Sequence, residues 1–146
     1  MEISEELRSS IPPGNVQVPV DEFCEFWSRA DRECLRLIGA NRPGELAWES
    51  SYASGVLGTV RWLAAAQDRL GPEQAPFVPL SGTPAGRATR DSIGFMRDET
   101  TRMLVLFPDG FKTDSMPPRP GYLEGVQDAF EWACAGGPAP RLGVPR

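Results

Sequence analysis

A short pattern occurs twice in the chain at one fixed spacing. Tyr52-x-x-Gly55-Val56, followed by Trp62, returns as Tyr122-x-x-Gly125-Val126, followed by Trp132, each position shifted by seventy residues. The same shift, with no gap, lays Asp21 on Asp91, Arg32 on Arg102, Phe23 on Ile93, Phe26 on Met96, Leu35 on Val105 and Leu37 on Phe107. A repeat of this size points to a unit that cannot bury its apolar side alone and packs on its own copy. Within each copy, glycine and tryptophan lie seven residues apart, nearly two helical turns, and so share one face. Glycine there lets a neighbouring backbone come close, while tryptophan fills the wider gap two turns on.

Helical units are expected from the way glycine and proline punctuate the chain. The 15 Gly and 15 Pro collect at 11–15, 71–86, 108–121 and 136–146, leaving four blocks poor in both. The first block opens at Asp21, a good N-cap residue, and carries Phe23, Trp27, Ala30, Cys34, Leu37 and Ile38 at steps of three and four, with Phe26 and Leu35 widening the stripe. The second, from Gly44 to Leu70, combines apolar positions with a row of small residues (Ser51, Ser54, Gly55, Gly58, Thr59) and stops at Gly71-Pro72. The third, Ala88 to Phe107, places Ile93, Met96, Met103, Leu104 and Phe107 at helical spacing. Its Met103–Phe107 end is a continuous apolar run that also admits a short strand. The fourth, Gly121 to Ala135, aligns Tyr122, Val126, Ala129, Phe130 and Ala133, its start delayed by Pro117, Pro118 and Pro120.

The expected fold is therefore all-α: a four-helix arrangement of two tandem helical hairpins about a pseudo-twofold axis, joined by Pro/Gly-rich loops. Residues 1–19 read as an extended N-terminal arm, 20–135 as one helical domain with repeats at 20–70 and 88–135, and 136–146 as a Pro/Gly-rich tail.

Composition narrows the function classes. The net charge of −5 argues against a phosphate backbone as partner, since duplex binding needs a basic face that displaces counterions. Arginines at Arg29, Arg32 and Arg36, and at Arg87, Arg90, Arg97 and Arg102, alternate with acids, which is the pattern of an exposed mixed-charge helix surface. With no histidine in the chain, Ser-His and Cys-His dyads and the Glu-x-x-His ligands of di-iron bundles are all out of reach. Cys24, Cys34 and Cys134 form no C-x-x-C pair and suit buried thiols in a reducing compartment. With an acidic start and no long apolar run, the expected location is the cytoplasm, with no membrane contact.

Two sets of residues remain as candidate sites. Trp48, Tyr52, Trp62, Phe77, Tyr122 and Trp132 are the aromatic groups with which the two copies can frame a groove for a partner or ligand. Phe77 belongs to the proline-stiffened segment 75–80, which either packs back on the helices or presents Phe77 and Leu80 outward. Glu45 and Glu49, and Glu124 and Asp128, stand at i,i+4 spacing, with Glu131 one turn on, and could hold a divalent metal between helices. The expected function is a non-catalytic protein–protein interaction module (an accessory subunit, regulator or inhibitor), without cofactor, whose partner is another protein with a basic surface complementing this acidic one. The alternatives are a small helical enzyme or ligand-binding protein using a carboxylate-bound metal, and a nucleic-acid-binding accessory protein. Oligomeric state is left open.

Overall fold

The structure is a computed structural model that describes residues 3–39, 47–64, 79–80, 88–113 and 116–143. It is mostly helical, with one small two-stranded sheet among the described residues. In chain order the elements are α1 (Glu5–Ser9), α2 (Val20–Gly39), α3 (Ala47–Leu63), α4 (Arg90–Leu106), β1 (Phe111–Thr113), β2 (Met116–Arg119) and α5 (Tyr122–Ala135). The four expected blocks thus each carry a helix. The stretch 65–70, expected to continue the second block, lies outside the described residues.

Packing centres on α3 and α5, with α2 against α3 and α4 against α5. Trp48 lies over Gly121, Gly55 over Tyr122 and Val126, and Trp62 beside Phe130, so α3 and α5 run side by side in the same direction. Their contact is reciprocal. A Cβ on Gly55 would fall on the Tyr122 carbonyl oxygen, with the Tyr122 carbonyl carbon and Val126 nitrogen at 3.1 Å. A Cβ on Gly125 would fall on the Tyr52 carbonyl oxygen, with the Tyr52 carbonyl carbon and Val56 nitrogen at 3.1 Å. Each glycine of the repeated pattern is thus pressed against the tyrosine–valine stretch of the other copy, backbone on backbone. Val56, Val60, Val126, Ala129 and Ala133 fill the remaining interior of this pair, while Ala53 packs with Cys34 and Leu37 of α2 in a second cluster.

Aromatic rings close the core around it. Trp132 stacks on Phe23 of α2, ring centroids 6.0 Å apart, and leans on Phe26 at 4.4 Å, while Trp62 meets Phe130 edge-on at 6.1 Å. Ile93 and Met96, which the seventy-residue shift lays on Phe23 and Phe26, are buried on α4. Leu35 does not widen the buried stripe of α2; it is exposed.

The N-terminal segment differs from the expected extended arm. Ser4 caps the single-turn helix α1 through a 3.2 Å bond from the Leu7 amide. After it, Ile11, Asn15 and Val16 are buried. Asn15 ties two places together: its side-chain amide donates to the Leu63 carbonyl at the end of α3 (2.9 Å) and to the Ala88 carbonyl ahead of α4 (3.0 Å). The Gln17 amide donates to the Ala133 carbonyl in the last turn of α5 at 2.7 Å. Helix ends leave such carbonyls without intrahelical partners, and the arm supplies the donors. Asp21 is not the cap of α2, which begins one residue earlier; it pairs with Arg8 from within the first turn.

The sheet arises where the sequence shows prolines. β1 and β2 pair antiparallel, Phe111 with Arg119 and Thr113 with Met116, with a one-residue irregularity between them. A two-stranded ribbon has only edges, so Pro117 and Pro118 need not donate to any further neighbour. The apolar run 103–107, which also admits a strand, instead continues α4 to Leu106, with Phe107 as its C-cap.

Candidate interaction surface

The aromatic residues expected to frame a groove are for the most part interior groups. Tyr52, Trp62, Tyr122 and Trp132 are buried. Tyr52 donates its hydroxyl to Asp128 Oδ2 at 2.6 Å, and the Tyr122 hydroxyl donates to the Pro79 carbonyl. Trp48 is half-buried; its ring stacks on Tyr52 (5.0 Å between centroids) and covers Gly121, which adopts φ +91° at the start of α5. Phe77 lies outside the described residues, while Leu80, from the same segment, is buried. These rings are therefore taken up in packing: Trp62 against Phe130 of α5, Trp132 against Phe23 and Phe26 of α2, and Tyr122 against Phe111 of β1.

The carboxylates do not come together as a metal centre among the described residues, which contain no group of three or more His, Cys, Asp or Glu placed to hold a metal ion. Glu45 lies outside those residues. Glu49 and Glu124 are half-buried, and Asp128 accepts the Tyr52 hydroxyl.

The thiols are poor nucleophiles for a physical reason. Burial, reinforced by Asp31 and Glu33, pushes the Cys34 thiol up to about 12. Burial pushes Cys134 up to about 11, against an opposing pull from Arg97. At pH 8 the thiolate fraction of Cys34 is then on the order of a thousandfold below that of a free cysteine. Labelling with a thiol reagent at pH 8 is expected to be slow at Cys34 in the folded protein and fast after denaturation; equal rates in both states would contradict this. Stability follows with a definite sign: the folded-state value lies above the unfolded one of about 9, so the Cys34 contribution is complete below pH ~9 and is lost as pH rises from there towards 12. A Cys34→Ala variant is expected to show a weaker decline in melting temperature over that window.

Among the described residues, α4 holds three of the five exposed large apolar side chains, the other two being Val20 and Leu35 on α2. Helix α4 starts from a capping box in which the Thr89 amide donates to Ser92 Oγ (2.7 Å) and the Ser92 amide to Thr89 Oγ1 (3.2 Å). Ile93, Met96 and Thr100 form its buried face, the Thr100 hydroxyl satisfied by the Met96 carbonyl at 2.8 Å. The opposite face carries Phe95, 46 % exposed, and Leu106, 55 % exposed, with Val105 at 78 % beside them. Between Phe95 and Leu106 stand Glu99 and Arg102, joined by two hydrogen bonds, Nε to Oε1 at 3.1 Å and Nη2 to Oε2 at 2.8 Å. Those bonds hold the Glu99 carboxyl below the usual carboxylate range and raise the Arg102 guanidinium. The last turn, 103–106, is apolar all round, and a helix packed along one side cannot bury such a turn completely. Met103, Leu104 and Phe107 accordingly stay half-buried.

Along its other flank α4 forms a cleft with α5 of about 320 Å³, bordered by Gly94, Arg97, Asp98, Gln127 and Glu131 and bridged by an Arg97–Glu131 ion pair at 3.3 Å. No described helix is long and apolar enough to cross a membrane. The sequence signal for the exposed face was the run Met103–Phe107 together with Phe95, whose side of the helix otherwise holds charged residues. Comparison of the chain with protein-family models, with curated proteins and with solved structures yields no match.

Proposed function

We propose that the protein is a non-catalytic helical interaction module, an accessory subunit, regulator or inhibitor, whose contact surface is the outer face and apolar last turn of α4. One observation carries this reading: Phe95, Val105 and Leu106 project from a single helix into solvent, where apolar groups clustered on one surface mark contact sites. The finer architecture belongs to the same proposal. Two tandem hairpins, 20–70 and 88–135, related by an approximate twofold axis between α3 and α5, would set α2 and α4 on the outside as equivalent helices; the reciprocal glycine contacts support this. The partner is another protein, in line with the acidic charge and the aromatic and arginine groups on α4.

A photo-reactive residue introduced at Leu106 is expected to form a covalent adduct with a polypeptide in the native lysate, and one at Glu5, on the exposed α1, is not. Equal adduct formation at both positions, or none at Leu106, would remove α4 as the contact surface.

A further inference from the structure

The outer face of α4 reads the same in both directions. Phe95, Glu99, Arg102 and Leu106 follow one another at steps of four, three and four, which keeps them within about 60° around the helix and spreads them over about 16 Å. The centre of this row falls between Glu99 and Arg102. Phe95 and Leu106 are equally far from it, and so are Glu99 and Arg102. Rotating the face by half a turn about an axis through that centre therefore brings apolar onto apolar and arginine onto glutamate. Closed dimers require this kind of self-complementary patch.

We propose that this face binds a second copy of the chain, with two α4 helices antiparallel, Phe95 against Leu106 of the other copy and Glu99 against its Arg102. The existing Glu99–Arg102 pairs need not break. Arg102 gives its own Glu99 one bond from Nε and one from Nη2. A guanidinium has five N–H donors and a carboxylate can accept about four hydrogen bonds, so each group can add a bond across the axis. Four alternating charges then form a closed ring between two apolar contacts. Asp98, the acid flanking the row, is carried by the same rotation towards Met103 and not towards another acid. Because both copies carry −5, complementary charges at the centre are what select an antiparallel over a parallel pairing, which would oppose Glu99 to Glu99. The patch is smaller than the 20–30 residues a side of a standard interface. The dimer is accordingly weak, with a dissociation constant on the order of 10–100 µM.

Sedimentation equilibrium of the full chain between about 5 and 500 µM tests this. The weight-average mass of the wild type is expected to rise towards that of a dimer. Leu106→Asp, Glu99→Arg and Arg102→Glu are each expected to remain monomeric, and Leu106→Asp and Arg102→Glu, at exposed side chains, are expected to keep melting temperatures close to wild type, whereas Glu99 is half-buried. An equimolar mixture of the Glu99→Arg and Arg102→Glu proteins is expected to associate again, and so is the double variant, because both restore opposite charges across the axis. A wild type that is monomeric throughout the range would overturn the proposal, as would single charge reversals that associate like the wild type. The dimer depends on α4 being the contact surface proposed above, and the two fail differently. An adduct from position 106 to a different polypeptide, with a monomeric wild type, removes only the second copy. A dimer insensitive to Leu106→Asp, with no adduct from position 106, removes both.

Discussion

Gly55→Ala and Gly125→Ala are each expected to destabilise the protein by about 3 kcal/mol or more, and by similar amounts. Alanine is the better helix former by about 1 kcal/mol, so an exposed glycine in the same helices would show a gain. At these two positions the added methyl meets main chain: the Tyr122 carbonyl for Gly55 and the Tyr52 carbonyl for Gly125. A side chain in the way can change rotamer, whereas a helix backbone can yield only by moving the whole helix. Separating α3 from α5 would loosen the packing of Val56, Val60, Val126 and Ala129, all fully buried. Gly94→Ala is the matched control. Nothing lies within 4 Å of a Cβ there, and the residue is inside α4, so a gain of about 0.5–1 kcal/mol is expected. Thermal melts decide the comparison, since 1 kcal/mol corresponds to roughly 2–4 °C in a domain of this size. A tolerated Gly55→Ala would mean that the helices do not approach this closely.

Asn15→Asp should be the most damaging isosteric change in the N-terminal segment. The asparagine amide donates to both the Leu63 and Ala88 carbonyls from a position that is 6 % exposed. Aspartate keeps the shape but replaces the donor with a carboxylate oxygen facing two carbonyl oxygens. Both carbonyls lose their partner, and a buried charge stands unpaired, for an expected loss of about 3–5 kcal/mol near neutral pH. The pH dependence has a definite sign. Burial and the facing carbonyls raise the folded-state value of the new carboxyl above its unfolded value of about 3.9. The loss is therefore least below pH ~4, where the protonated acid can donate one hydrogen bond, and grows as pH rises through the folded-state value. Urea titrations of both proteins at pH 4 and pH 7 measure this; a difference that is the same at both pH values would contradict it.

The helices were legible in the sequence because each carries a periodic apolar face between Gly/Pro clusters. The Tyr-x-x-Gly-Val pattern also named the residues that touch, since Gly55 and Gly125 lie over the backbones of Tyr122 and Tyr52. Their aromatic neighbours were harder to place. Tyrosine and tryptophan serve interfaces and interiors equally well, and periodicity does not say whether a second helix covers the face on which they stand. In Tyr52 and Trp132 the interior prevailed. The two tyrosines of the pattern make different bonds: Tyr52 reaches Asp128, but the seventy-residue shift puts Gly58 opposite Tyr122, whose hydroxyl turns to the Pro79 carbonyl instead. The β1–β2 ribbon was hidden by its prolines, which exclude a central strand but not an edge. The buried role of Asn15 left no local signal at all, because its partners Leu63 and Ala88 are distant in sequence.

The reciprocal fit of α3 and α5 is the claim on which the architecture and the outward placement of α4 depend. Its most direct measurement is a double-mutant cycle between Gly55→Ala and Gly125→Ala by chemical denaturation. If both methyls strain the same helix pair, the first substitution has already forced the separation that accommodates the second. The double variant should then lose less than the sum of the single losses, by about 1 kcal/mol or more. Losses that add to within about 0.5 kcal/mol would show two unrelated sites and contradict the account.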